Sequence, residues 1–254
     1  MKPESVSEAI ELQRAYYART AACYDEMHVK GNVEHGIALQ WLIAMADYLK
    51  VRSILDVGSG TGRVLFAVKS RLPSVRIVGI EPSAELRRVG TENGLTDGEL
   101  IDGDAMDLAF ADCSFDLVCE FGALHHIPRA SKAVSEMLRV AKTAIFISDA
   151  NNFGQGSRLS RAVKQTLNAA GLWPLADWVK TRGRGYAISE GDGLAYSYSA
   201  FNDLPQIRKA CASVHLLNTR DSGPNLYREA ETVAILGIKN AAETSPYADM
   251  ALGK

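Results

Sequence analysis

The chain has few cysteines and no long apolar run. Cys23, Cys113, Cys119 and Cys211 form no Cys-x-x-Cys pair and no metal-ligand spacing, so we expect reduced thiols and no disulfide framework. No stretch reaches the roughly 18 apolar residues of a membrane-spanning helix. The first residues also lack the apolar core of a signal peptide. These absences predict a cytoplasmic protein.

An excess of positive charge is missing as well. Lys and Arg number 28 against 30 Asp and Glu, a net charge of −2, so the chain has no electrostatic footprint for nucleic acid. We therefore expect no nucleic-acid partner, and the lack of a long apolar run predicts no membrane partner. A content of 47% hydrophobic and 23% charged residues is ordinary for a globular protein, and 254 residues suffice for one large α/β domain.

Three alternating glycines stand in the most informative stretch, Asp56-Val57-Gly58-Ser59-Gly60-Thr61-Gly62. A short apolar run precedes them and helix-forming sequence follows. Glycines allow a sharp turn and a close approach to a ligand, and the following helix offers free N–H groups. A dinucleotide fingerprint needs Gly-x-Gly-x-x-Gly, but its last position is Arg63 here. Because Asp56 would repel a pyrophosphate, the loop favours a cationic ligand.

Strand and helix patterns alternate after an N-terminal helical stretch, residues 7–49, with a break expected near residues 30–32. The alternation predicts a mostly parallel sheet covered on both faces. We predict strands at 53–57, 76–80, 99–101, 115–119, 144–148, 214–218 and 231–238, and helices at 62–71, 84–93, 130–141, 157–170 and 202–211. Residues 173–200 have only weak periodicity, and residues 240–254 are expected to fray.

The loop resembles the first motif of the class I S-adenosylmethionine (SAM) methyltransferases, and four further segments follow in that family's order. They are Glu81-Pro82-Ser83, Asp104-Ala105-Met106, residues 110–118, and Glu120-Phe121 running into Leu124-His125-His126-Ile127. The last is similar to the ending found in ubiquinone/menaquinone biosynthesis methyltransferases. The resemblance covers residues 50–150 well and the rest in outline.

The resemblance implies a Rossmann-like α/β fold with a seven-stranded, mostly parallel sheet. Its strand order would be 3-2-1-4-5-7-6, with the seventh strand antiparallel and helices on both faces. Residues 1–50 would form a helical cap over the active site, residues 51–239 the methyltransferase domain with an insertion or lid at 171–200, and residues 240–254 a tail.

The implied cofactor is SAM, lying across the carboxyl ends of the first strands. Asp56 would favour its ammonium group, Glu81 its ribose hydroxyls, and Asp104 with Ala105 its adenine. Glu120 and Phe121 would lie beside the sulfonium. The predicted cofactor-binding residues are Asp56, Gly58, Ser59, Gly60, Thr61, Gly62, Glu81, Pro82, Ser83, Asp104, Ala105, Met106, Glu120 and Phe121.

Methyl transfer from a sulfonium is an in-line displacement, so the protein mainly binds, aligns and excludes water. A base is needed only where the acceptor must lose a proton. His125 and His126 are the candidates, because imidazole titrates near neutral pH. Adjacent histidines point in different directions, so we expect at most one to face the acceptor; the alternative is a structural histidine.

Metal-dependent catechol-type methyltransferases carry adjacent Asp-Asn ligands after the fifth strand. Here Ala150 separates Asp149 from Asn151, so we expect no metal site. Asn151 and Asn152 are instead expected to line the acceptor pocket.

Acceptor recognition is predicted in residues 173–200 together with the N-terminal Tyr16, Tyr17 and Tyr24. That insertion carries aromatic and basic side chains that suit a cyclic or aromatic acceptor with a carboxylate or phosphate. The alternative is that its aromatics pack a satellite core. They are Trp173, Trp178, Tyr186, Tyr196 and Tyr198, and the basic residues are Lys180, Arg182 and Arg184.

The leading interpretation is therefore a SAM-dependent methyltransferase of a small molecule, with O-, N- and C-methylation all open. A nucleic-acid methyltransferase is disfavoured, because Glu120-Phe121-Gly122-Ala123 replaces the Asn- or Asp-Pro-Pro-aromatic motif of the amino-methylating enzymes. A SAM-binding regulatory protein without turnover stays open until turnover is measured. A homodimer is a further open alternative for the oligomeric state.

Overall fold

The described residues before the sheet are helical. The computed structural model describes residues 6–26, 33–220, 223 and 225–239. Helix α1 spans Val6–Thr20, a 3-10 turn follows at Ala21–Cys23, and α2 spans Val33–Tyr48. The break predicted near residues 30–32 and the predicted tail, 240–254, both lie outside the described residues.

The alternating pattern that follows matches the predicted strands and helices closely. The first two strands have the predicted bounds, while the fourth and fifth extend further than predicted. The elements are β1 (Ser53–Val57), α3 (Arg63–Arg71), β2 (Arg76–Ile80), α4 (Ala84–Glu92), β3 (Leu100–Ile101), β4 (Phe115–Phe121), α5 (Ala130–Val140), β5 (Ala141–Ala150) and α6 (Arg158–Ala169).

The elements after α6 are shorter. They are α7 (Trp173–Lys180), β6 (Tyr186–Ser189), β7 (Gly193–Tyr196), α8 (Leu204–Ala210), β8 (Ser213–Asn218), α9 (Leu226–Glu229) and β9 (Thr232–Ile238). Weak periodicity hid α7 and the β6–β7 hairpin from sequence analysis. The apolar runs near the end of the chain do form the predicted closing pair of strands.

The predicted sheet topology is confirmed. Seven strands pair in the order β3-β2-β1-β4-β5-β9-β8, which is 3-2-1-4-5-7-6 when the strands of this sheet are counted along the chain. Strands β1 to β5 are parallel, whereas β9 runs antiparallel to both β5 and β8. The carboxyl ends of β1, β2 and β4 therefore share one edge, where ligands bind in open α/β sheets.

Two apolar layers cover the sheet, as its continuous buried strands require. Helix α5 buries Val134 and Met137 on one face, and α2 and α3 bury Leu42 and Leu65 on the other. Strand β9 is buried along its whole length. These layers hold the strand ends in place.

None of the helices described is long and apolar enough to cross a membrane.

Candidate functional site

Backbone geometry dictates the glycines of the loop between β1 and α3. Gly58 has a φ of 73°, and a Cβ there would lie 2.4 Å from the Cβ of Ala123. Gly62, at a φ of 91°, is the N-cap of α3, and a Cβ there would lie 2.3 Å from the Leu95 side chain. Other residues would be strained and would clash at both positions, so the loop can pass close to β4 and α4.

Glu81 directly follows β2, and its carboxylate joins two loops. Its Oε2 accepts a hydrogen bond from the Gly60 amide at 3.0 Å, and its Oε1 accepts one from the Ser83 amide at 2.9 Å. Burial raises the pKa of Glu81 to about 7, against the lowering effect of these amides. Because a carboxylate oxygen can accept a second donor, each still has capacity for a ligand hydroxyl.

Asp56 is almost fully buried at the end of β1, below the glycine loop. The thiol of Cys119 lies 3.6 Å from its Oδ1, while its Oδ2 has no hydrogen-bond partner among the described residues. Burial raises the pKa of Asp56 to about 6. A buried carboxyl with an unused oxygen, lining a cavity, suits a cationic ligand group.

A cavity of about 160 Å³ lies at the ends of β2 and β3. Its floor contains Asp104, whose Oδ1 accepts the Met106 amide at 2.8 Å and so shapes the turn. Tyr17 of α1 covers it from above. The predicted residues on its wall are Glu81, Pro82, Ser83, Asp104, Ala105 and Met106.

A second cavity, of about 680 Å³, extends over the ends of β1, β4 and β5. Both cavities are lined by the same six residues where they meet. These shared residues are Tyr17, Tyr24, Gly58, Phe121, Gly122 and His126. Because the two cavities share this wall, an elongated ligand in the smaller one would reach the larger one.

Two carboxyl groups lie under the larger cavity. Asp149 accepts the backbone amide of Leu124 at 2.8 Å and the Nδ1 of His125 at 2.7 Å. Glu120 is fully buried beside it; burial and the Asp149 carboxylate hold the pKa of Glu120 well above its usual range. Glu120 lines neither cavity, so its role is to support the 3-10 turn at Leu124–His126 through the Ala123 amide at 3.0 Å.

The two histidines of that turn converge on Asp192, in the turn of the β6–β7 hairpin. The Nε2 atoms of His125 and His126 lie 3.4 and 3.5 Å from its carboxylate oxygens. Burial lowers the pKa of His125, but the carboxylates of Asp149 and Asp192 outweigh it and raise this pKa well above the usual value. His125 therefore carries protons on both ring nitrogens near neutral pH.

His126 is held differently. Its Nδ1 lies 2.6 Å from the backbone carbonyl oxygen of Leu194, a distance that requires a proton on Nδ1. Gln13 of α1 secures the same strand, because its Oε1 accepts the Leu194 amide at 2.6 Å. The Nε2 of His126, on the cavity side, faces the carboxylate of Asp192 at 3.5 Å.

Most of the predicted site is assembled in these two cavities. Every predicted cofactor or catalytic residue lines one of them except Gly60, Gly62 and Glu120. Asn152 lines the larger cavity as predicted. Asn151 does not: its buried amide donates to the carbonyl oxygens of Tyr227 and Ala230.

The insertion contributes less to the cavity than predicted. Three of the insertion's predicted aromatic and basic residues line the larger cavity: Lys180, Tyr196 and Tyr198. Tyr186 packs with Ala9 and Leu194 in a satellite core, as the alternative expectation had it.

Two residues that line the larger cavity, Asp192 and His35, were not predicted from the sequence. The Gly191-Asp192-Gly193 turn is a hairpin signal that could have located Asp192, whereas nothing in the sequence around His35 indicates its burial under the cavity.

Comparison with known proteins shows which class of protein the chain resembles. Residues 55–146 match the family model of a methyltransferase domain. The demethylmenaquinone methyltransferase of Roseiflexus is 28% identical over 151 residues, which cover 58% of this chain and 61% of that protein. The ubiquinone/menaquinone biosynthesis C-methyltransferase UbiE of Paracoccus denitrificans is 31% identical over 139 residues, 52% of this chain and 55% of that protein.

A solved structure has a similar fold over nearly the whole length. The DhpI–SAM–HEP complex covers 90% of this chain and 97% of its own, with a TM-score of 0.59 at 18% identity. The chain therefore carries, at residues 55–146, a domain similar to those of SAM-dependent methyltransferases. It spans little more than half the length of these two curated relatives.

Proposed function

We propose that this protein transfers a methyl group from SAM to a small-molecule acceptor. The observation that carries the proposal is the meeting of two cavities at Gly58, Phe121 and His126. The smaller cavity has the acids and apolar wall that suit a nucleoside. The larger one has room for a second molecule beyond the shared wall. A donor bound across that wall would present its reactive end to the acceptor.

The residues present fit SAM at both of its ends. The unused Oδ2 of Asp56 is a partner for an ammonium group, which would also remove the cost of burying that carboxylate. The two oxygens of Glu81, each with one amide donor, have lone pairs left for two adjacent ribose hydroxyls. Asp104, with Oδ1 turned to Met106, keeps Oδ2 for an amino group on the adenine ring.

SAM supplies the electrophilic methyl group on a positively charged sulfur. The chain's own task is to align the acceptor with that methyl and exclude water. Tyr17 and Tyr24 are half-buried and line both cavities, so α1 and the segment after it would cover the site. Thr61 of the glycine loop donates to Asp25 at 2.5 Å, which ties this cover to the loop.

We assign the base to His126 and a fixed positive charge to His125. The Nδ1 proton of His126 is bound to Leu194, so the proposed base is Nε2, which would take the proton of an acceptor hydroxyl or amine once the acceptor displaces Asp192 from it. His125 cannot act in this way, because the neighbouring carboxylates keep it protonated. An acceptor that needs no deprotonation would not use His126.

The β6–β7 hairpin is proposed to act as a lid over the acceptor, with Asp192 at its tip. Tyr196 and Tyr198 would offer a flat surface to a ring, in keeping with the relative named for demethylmenaquinone. Lys180 supplies one positive group for an acidic substituent. Limited trypsin digestion tests the lid: cleavage after Arg182 or Arg184 should slow when S-adenosylhomocysteine and an acceptor are both bound, and unchanged cleavage would contradict closure.

Calorimetry tests the donor site itself. SAM and S-adenosylhomocysteine should each bind with one-to-one stoichiometry, and NAD and NADP should not bind, because Asp56 and the Gly62–Arg63 spacing disfavour a pyrophosphate. Binding of NAD with no binding of SAM would overturn the proposal.

A further inference from the structure

Helix α6 has its polar side chains turned toward the protein and its apolar ones toward solvent. Lys164 donates from Nζ to the carbonyl oxygens of Asn152 and Gln155, and Gln165 donates to Phe153. On the outer side, Leu159 is 76% exposed and Val163, one turn later, is 50% exposed. A surface helix normally has the opposite arrangement. The inverted polarity indicates that the outer face has an apolar or amphipathic partner.

Helix α7 packs against α6 and continues this apolar surface. Leu172 precedes it, Leu175 lies one turn on, and Val179 lies one turn further; all three are at least half exposed. No residue of α6 or α7 is fully buried. Single exposed apolar residues are normal, but two adjoining helices that expose so many are typical of an interaction surface.

Positive charge surrounds these apolar residues. Residues 158–188 hold six Lys and Arg and one acidic residue, Asp177, in a chain whose net charge is −2. Arg158, Arg182 and Arg184 are exposed, whereas the carboxylate of Asp177 already accepts the hydroxyl of Ser197. Exposed Leu, Val and Trp beside Lys and Arg form the pattern of a helix that lies in the surface of an anionic bilayer.

We propose that the outer face of α6 and α7, here called the α6–α7 surface, docks on an anionic lipid membrane. A second copy of the chain is a poorer occupant, because a two-fold contact would place two such basic patches against each other. A membrane offers negative headgroups for the arginines and hydrocarbon for the leucines and valines. The expectation of no membrane partner came from the lack of a long apolar run, which bears on helices that span a bilayer and not on a surface that docks on one.

The surface adjoins the larger cavity. Lys180 ends α7 and lines that cavity, as does Ala187 of β6. Docking would therefore bring the mouth of the acceptor cavity close to the bilayer. The inference itself does not depend on the proposed methyl transfer, because binding to lipid can be measured without turnover.

Co-sedimentation with vesicles tests the proposal. The full chain should bind vesicles of phosphatidylcholine with phosphatidylglycerol, bind vesicles of phosphatidylcholine alone at least about tenfold more weakly, and dissociate at high salt. A variant that combines Leu159→Ser, Val163→Ser, Leu175→Gln and Val179→Gln should lose binding. Ile37→Gln, at an apolar position on α2 that is 47% exposed, is the control and should keep it.

A second variant guards against misfolding of the first. Arg158→Glu with Arg182→Glu leaves every apolar side chain in place and should weaken binding to the anionic vesicles at least about tenfold. Sedimentation velocity tests whether the α6–α7 surface instead binds a second copy of the chain. A dimer that the apolar variant dissociates, with no binding to either vesicle, would overturn the proposal and assign the surface to a second copy; a monomer that binds neither vesicle would overturn it as well.

Discussion

The backbone carbonyl oxygen of Leu194 lies 2.6 Å from the Nδ1 atom of His126. This contact joins the β6–β7 hairpin to the turn after β4, together with the ion pairs from both histidines to Asp192, and requires a proton on Nδ1. The neighbouring His125 has the other environment, with a carboxylate at each ring nitrogen. The two adjacent histidines thereby lie in different environments, with a backbone carbonyl at the Nδ1 of one and a carboxylate at the Nδ1 of the other.

Replacement of His126 tests its role as the base. His126→Ala should lower turnover about 100- to 10,000-fold and leave SAM affinity nearly unchanged, if the acceptor must lose a proton. His126→Gln is the matched control for structure, because its amide can still donate to Leu194. It should recover the melting temperature and not the activity. Activity close to wild type in both variants would rule out the base.

Glu81→Ala should weaken SAM binding, because two charge-assisted hydrogen bonds are lost at about 1.5–3 kcal/mol each at most. Titration calorimetry gives the affinity directly. Glu92→Ala is the control, since Glu92 lies at the exposed end of α4 and pairs with Arg88. Unchanged affinity in Glu81→Ala would refute the ribose assignment.

SAM affinity should increase between about pH 5 and pH 8. Burial raises the pKa of Asp56 to about 6 and that of Glu81 to about 7, so both are partly protonated in the free protein over this range. Binding an ammonium group and hydroxyls favours the ionised carboxylates, and therefore protons must be released on binding at the lower pH.

The same two pKa values give the opposite sign for the stability of the free protein. A carboxyl whose pKa is raised on folding binds its proton more tightly in the folded state. Its contribution to the free energy of unfolding is therefore full below the usual pKa and declines as the pH rises through about 6 to 7.

The Glu81→Gln variant tests the assignment of the two pKa values. Its profile of SAM affinity against pH should keep only the lower step, from Asp56. A flat affinity profile in the wild type would contradict both assignments.

Chelation should leave activity intact. The donor atoms of His125, His126 and Asp192 lie within 4.8 Å of one another, a grouping that could hold a metal ion. We interpret it instead as an ion pair, because the carboxylates on both sides keep His125 protonated. Turnover that EDTA abolishes and a divalent cation restores would show that the cluster is a metal site.

The strands and the donor side could be predicted from sequence because their signals are local. Strands β1 and β2 follow continuous apolar runs that end at Asp56 and Glu81, so the pattern fixed both their bounds and the acids at their ends. Gly58 and Gly62 could be identified because glycines alternate between a strand and a helix, and their positive φ angles favour glycine.

The acceptor side depends on contacts between distant segments, and no local pattern encodes them. Gln13 reaches Leu194, 181 positions along the chain, and Asp192 meets a turn some 65 residues before it. Helix α7 was missed because its apolar residues face outward. The segment therefore has only weak periodicity and was interpreted as an irregular insertion. Asn151 was misplaced because an amide after β5 can turn inward to backbone carbonyls as easily as outward to a ligand.

The central claim is methyl transfer from SAM, and mass spectrometry of a metabolite extract tests it most directly. The protein is incubated with the extract and SAM carrying a trideuterated methyl group. The account predicts a product heavier than its precursor by one CD3 group less the hydrogen it replaces, formed together with S-adenosylhomocysteine and absent with Asp56→Asn. SAM binding by calorimetry without any labelled product from extracts that support known methyltransferases would contradict it, and would favour a SAM-binding regulatory protein.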